Sequence, residues 1–97
     1  MSSMEENATQ AAGFLKGLAN PHRLLVLCAL SQGEHSVSQL LERVNVSQSS
    51  MSQHLSKLRA EGLVDYRRDH RTLYYYISNP HVARFIGVLY DMYCKEQ

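Results

Sequence analysis

From Val46 to Val64 the apolar positions Met51, Leu55 and Leu58 fall at i, i+4 and i+7, one narrow stripe along a helix that is otherwise polar. Ser47 suits the N-cap, where its hydroxyl accepts from a free amide of the first turn, and Val46 and Met51 flank it as a hydrophobic staple. Gly62 suits the left-handed position that ends such a helix. The remaining positions, Gln48, Ser49, Ser50, Ser52, Gln53, His54, Ser56, Lys57 and Arg59, form a face rich in short hydrogen-bonding groups and poor in acid. Such a face matches what reading base edges requires.

The pattern predicts four more helices. Residues 1–6 are expected to be a frayed tail, with the domain spanning 7–97. Ala8, Ala11, Ala12, Leu15, Leu18 and Ala19 then mark a first helix with a small-residue face. Asn20-Pro21 starts a second, which is apolar on all sides from Leu24 to Leu30 and is expected to be buried. Val37, Leu40, Leu41 and Val44 give a short third helix, and the brief turn from it into the polar helix makes a helix-turn-helix. Residues 63–68 and 73–77 alternate with period two and read as a β-hairpin, or wing, whose tip carries Arg67, Arg68, His70 and Arg71. Asn79-Pro80 starts the last helix, whose broad stripe of Val82, Phe85, Ile86, Leu89, Met92 and Tyr93 suits a dimer contact made together with the first helix. The expected fold is therefore mainly α with a small hairpin wing.

Composition narrows the reading. The 97 residues, 44% of them hydrophobic, suit one domain with a modest core. No apolar run is long enough for a membrane helix, and the start, MSSMEEN, lacks a secretory pattern, so a cytoplasmic protein is expected. The net charge is only +1, so a nucleic-acid surface has to be local. Between Ser47 and Thr72 it is: Lys57, Arg59, Arg67, Arg68 and Arg71 stand against Glu61, Asp65 and Asp69, five positives to three negatives. At the wing tip such charge fits DNA phosphate, although a solvated hairpin tip also carries charge. No nucleophile–base set or phosphate-binding glycine loop is visible, so an enzyme is not expected, nor is a cofactor.

Taken together, Leu18–Leu30 (LANPHRLLVLCAL), Ser36–Val64 (SVSQLLERVNVSQSSMSQHLSKLRAEGLV) and Arg67–Ile77 (RRDHRTLYYYI) resemble the ArsR/SmtB family of dimeric winged helix-turn-helix repressors. The resemblance runs from about Ala8 to Cys94. It implies a dimer through the first and last helices, with the helix after Ser47 in the major groove of a near-palindromic operator. The implied DNA contacts are Ser47, Gln48, Ser49, Ser50, Ser52, Gln53, His54, Lys57, Arg67, Arg68 and Arg71. Two family metal motifs are missing. Residues 36–40 hold no cysteine, and of the last-helix zinc site only His81 is kept. What remains is Cys28 and Cys94, placed as in the subgroup that contains HlyU, YgaV, SqrR and BigR. There a disulfide or polysulfide bridge between two such cysteines weakens DNA binding, which implies a reactive sulfur or oxidising species as inducer. Metal sensing, through Cys94 with His81 or with a partner chain, is an alternative, although His81, Asp91 and Cys94 make only a partial metal site; so is an activator that displaces another DNA-binding protein. By itself Cys28 also fits a small buried hydrophobe. His54 fits equally a DNA-facing residue and a partly buried, hydrogen-bonded one. His22 and His35 read as structural or exposed.

Overall fold

The computed structural model describes the backbone of residues 2–94 and the side chains of residues 3–93. Five helices and a three-stranded antiparallel sheet follow in the order α1 (Ser2–Leu18), α2 (Pro21–Leu30), β1 (His35–Ser36), α3 (Val37–Arg43), α4 (Gln48–Ala60), β2 (Val64–Asp69), β3 (Thr72–Ile77) and α5 (Pro80–Leu89), with a π-helical segment over Tyr90–Cys94. The chain is thus a winged helix-turn-helix, as its periodicity predicts.

Local chemistry sets most of the boundaries. The Asn20 carboxamide accepts from the amides of His22 and Arg23, Asn79 does the same for His81 and Val82, and each is followed by proline at the first helical position. Ser36 and Gln39 cap α3 reciprocally. The end of α4 is a Schellman motif: the Leu63 amide donates to the Leu58 carbonyl and the Gly62 amide to Arg59, both at 3.0 Å. Gly62 there has φ of 79°.

The core joins Leu18, Val26, Leu27, Leu30, Leu40, Val44, Met51, Leu55, Leu58, Leu63, Val64, Val82 and Ile86. The sheet order is β1-β3-β2, and β2 pairs with β3 from Val64 opposite Ile77 to Asp69 opposite Thr72. His70 and Arg71 make the two-residue wing turn, and His70 takes the left-handed conformation with φ of 60°. Histidine bears some strain there that glycine would not.

Three expectations change. Residues 2–6 are not a separate tail, because α1 begins at Ser2. The wing is not a lone hairpin, because His35 and Ser36 pair with Tyr75 and Tyr74. Two residues are too few to show a period, and this strand is set by its partner. Nor is α2 buried all round: the core covers one side of α2, and among the described residues the other side is covered only in part, so that Leu25 is 44% exposed.

A methyl group on Gly62 meets no atom within 4 Å, so Gly62→Ala tests the backbone alone. It should cost about 1 kcal/mol, and His70→Gly should gain about 0.5 kcal/mol. Urea midpoints moving in these opposite directions at constant m-value are the expected result.

Candidate nucleic-acid interface

α4 buries Met51, Leu55 and Leu58 against the core and leaves Gln48, Ser49, Ser52, Gln53, Ser56 and Lys57 in solvent. Each buried side chain contributes roughly 1.5–3 kcal/mol, which fixes how the helix is rotated and hence which residues face out. Ser47 is committed to structure: its hydroxyl accepts from the Ser50 amide at 3.1 Å and lies 3.1 Å from the Ser50 hydroxyl. Ser50 is half-buried beside it. Gln48, Ser49, Ser52 and Gln53 form the outward set, with Lys57 two turns on from Ser49.

His54 does not share this setting. It is half-buried, with its ring 6.1 Å from that of His22 on α2. Burial first, and then the nearby His22, Arg23 and Lys57, hold its imidazole below the usual histidine range.

The wing arginines divide by face. Cross-strand partners share a face, so Arg67 goes with Tyr74 and Arg68 with Leu73. Arg67 donates to Glu34 at 2.8 Å, and its guanidinium lies 4.7 Å from the Tyr74 ring centroid. Arg68 and Arg71 are exposed and make no ion pair among the described residues. On α4 and the wing, the cations in no ion pair among the described residues are therefore Lys57, Arg68 and Arg71.

Arg59, in the last turn of α4, lies outside the expected contact set, yet it faces the space between helix and wing. It donates to Asp65 at 3.0 Å and lies 4.4 Å from the Tyr66 ring centroid. The Tyr66 amide, and then Arg59, hold the Asp65 carboxyl below its usual range. A cleft lined by Ser56, Arg59, Asp65, Tyr66, Tyr75 and Ser78 runs between the two elements. The sequence signal for Arg59 was its place on the polar face, but its partner lies across a chain reversal.

Residues 20–66 match the family of bacterial regulatory proteins of the arsR type. The nodulation protein NolR of Rhizobium meliloti is 51% identical over 91% of this chain and 72% of its own length. The transcriptional activator HlyU of Vibrio cholerae is 41% identical over 98% of this chain and 88% of its own. The chain belongs to the ArsR family. It is a DNA-binding transcriptional regulator and not an enzyme. The solved structure of reduced HlyU from Vibrio cholerae superposes with a TM-score of 0.89 over 98% of this chain and all of that one, at 41% identity. The transcriptional repressor BigR from Xylella fastidiosa gives 0.89 over 99% of this chain and 97% of that one, at 34% identity. A homodimeric winged helix-turn-helix domain from Mycobacterium bovis gives 0.77 over 95% and 85%, at 30% identity.

Cys28 is buried on α2 and lines an apolar cleft of about 380 Å³ with Pro21, Leu24, Leu25, Leu89 and Tyr93. Cys94 follows in the π-helical segment, and its side chain lies outside the described residues. Among the described residues no three His, Cys, Asp or Glu side chains are grouped to hold a metal ion. No helix among them is long and apolar enough to cross a membrane.

The environment of His54 makes stability depend on pH. Its folded-state pKa is depressed, so the unfolded chain takes up this proton first as pH falls. The contribution of neutral His54 is complete above about pH 6.5 and is lost as pH falls from there through the folded-state value. Urea midpoints measured from about pH 8 down to 5 should decline below about 6.5, with a shallower decline in His54→Gln. Identical slopes for the two proteins would count against this account.

Proposed function

We propose that the chain is a homodimeric repressor that places the outward face of α4 in successive major grooves of a near-palindromic operator. The observation that carries the reading is the division of α4 into a buried apolar stripe and an acid-free polar face beside unpaired wing arginines. Gln48 and Gln53 are suited to bidentate contacts with adenine, and Ser49 and Ser52 to base edges or phosphates. Lys57, Arg68 and Arg71 anchor the phosphate backbone, while Arg67 braces the wing against Glu34. Ser47 caps the start of the helix, and Ser50 and His54 are half-buried beside this face.

The second copy accounts for apolar surface that the single chain leaves open. Val88, Met92 and Tyr93 are 57%, 60% and 76% exposed, and Leu15 on α1 is 52% exposed. Phe14 of α1 and Phe85 of α5 meet edge to face at 6.1 Å, which joins the two exposed helices into one surface. The homodimeric neighbour from Mycobacterium bovis supports a dimeric state. Half-sites are expected roughly one or two helical turns apart, about 10–21 base pairs between centres.

Bridging of Cys28 and Cys94 by a disulfide or polysulfide is the proposed signal, with a reactive sulfur or oxidising species as inducer. Its support is the cleft at Cys28, which reaches Tyr93, the neighbour of Cys94 in sequence. A bridge there would join α2 to the chain beyond α5 and shift one element of the dimer surface against the other. An activating role is a second reading, favoured by the likeness to the activator HlyU.

Operator footprints of reduced and persulfide-treated protein should differ by about fivefold or more in affinity, and Cys28→Ser should abolish the difference. Equal affinity in both states of the wild type sinks the sensing reading and leaves the repressor intact. Separately, Arg68→Ala and Arg71→Ala should each lower the slope of log K against log salt by about 1. Arg67→Ala should lower it by less, because Glu34 already neutralises that charge; a full unit for Arg67 would contradict its role as a brace.

A further inference from the structure

The backbone packing of α4 is mainly with α3 and β2. Its ties toward α1 and α2 run through long side chains, and the chief of these is Arg23. The Arg23 guanidinium is buried; Nη1 donates to the Gly17 carbonyl at 2.9 Å and Nη2 to Glu61 Oε1 at 2.7 Å. Gly17 lies in the last turn of α1, where carbonyls lack helical partners, and a cation there is favoured by the helix dipole. Glu61 is the C-cap residue of α4, where a carboxylate is disfavoured by the same dipole unless a cation answers it. Arg23 meets both needs at once. Its Nε is buried without a hydrogen-bond partner among the described residues, so the fork is turned to serve Gly17 and Glu61 at the expense of its Nε donor.

An apolar stripe sets which face of a helix is buried, and a charged tie at the helix end adds a constraint along its axis. Met51, Leu55 and Leu58 hold α4 against the core, whereas the Arg23 fork ties the end of α4 to the end of α1. We propose that Arg23, through Glu61, is a positioning residue that sets the distance of the recognition helix from the dimer surface, and thereby the operator half-site spacing the protein prefers. The inference rests on the dimeric reading above. It assigns spacing selectivity to a pair of residues that face away from the DNA-reading set, Gln48, Ser49, Ser52 and Gln53.

The test uses the full chain. A half-site is selected from random duplexes with wild-type protein. Affinity is then measured for that half-site alone and for pairs of it at centre spacings from about 8 to 22 base pairs. Glu61→Ala removes the carboxylate at a half-exposed position; Arg23→Lys keeps the charge but loses the fork. Both should flatten the spacing preference, with roughly tenfold loss on the best-spaced pair and less than about twofold change on the single half-site. Circular dichroism identifies which variants are folded, and either one suffices for the comparison. A folded variant that keeps the wild-type preference, or that loses affinity equally on single and paired sites, overturns the inference alone. A wild-type protein with no preference for paired sites overturns the dimeric reading and this inference with it.

Discussion

The burial of Met51, Leu55 and Leu58 on one side of α4 is the constraint on which the rest of the structure depends. These side chains lie in the same core as Leu40 and Val44 of the preceding helix-turn segment and Val64 at the start of the wing. A helix held by so narrow a stripe has most of its circumference free. The opposite face can then be wholly polar without cost to folding, and here it carries glutamine, serine and lysine. The caps at Ser47 and Gly62 make the helix end cleanly, so that the turn before it and the wing after it leave at set angles.

Around α4 and the wing the charges divide into paired and unpaired. Arg59 faces Asp65, Arg67 faces Glu34 and Arg23 faces Glu61. The exposed pairs contribute little to stability, and their effect is to hold direction: Arg59 lies along Tyr66 and Arg67 along Tyr74. Lys57, Arg68 and Arg71 remain for an anionic partner. A chain of net charge +1 can in this way present a local positive surface.

The apolar residues divide in a similar way. Val82 and Ile86 of α5 complete the core, while Val88 of α5 and Met92 of the π-helical segment face solvent. The two sides of α2 differ likewise, Val26 and Leu27 inward and Leu25 outward, with the cleft at Cys28 between the outward side and α5. The surface proposed for dimerisation thus adjoins the cleft proposed for sensing. Packing changes in one bear directly on the other.

The sequence by itself determined the five helices, the caps at Asn20, Ser47 and Asn79, the end at Gly62 and the wing hairpin, because each rests on side chains acting on their own backbone neighbours or on a period of at least several residues. It also picked out the polar face of α4, since that face follows from spacing alone. Only the tertiary structure decided what depends on elements distant in the chain. It paired β1 with β3, turned Arg67 to Glu34, placed His54 beside His22, left Leu25 uncovered and brought Arg23 to Glu61 across 38 positions. Charge and hydrophobicity say that a residue needs a partner or a cover; the packing of separate helices and strands decides which one it finds.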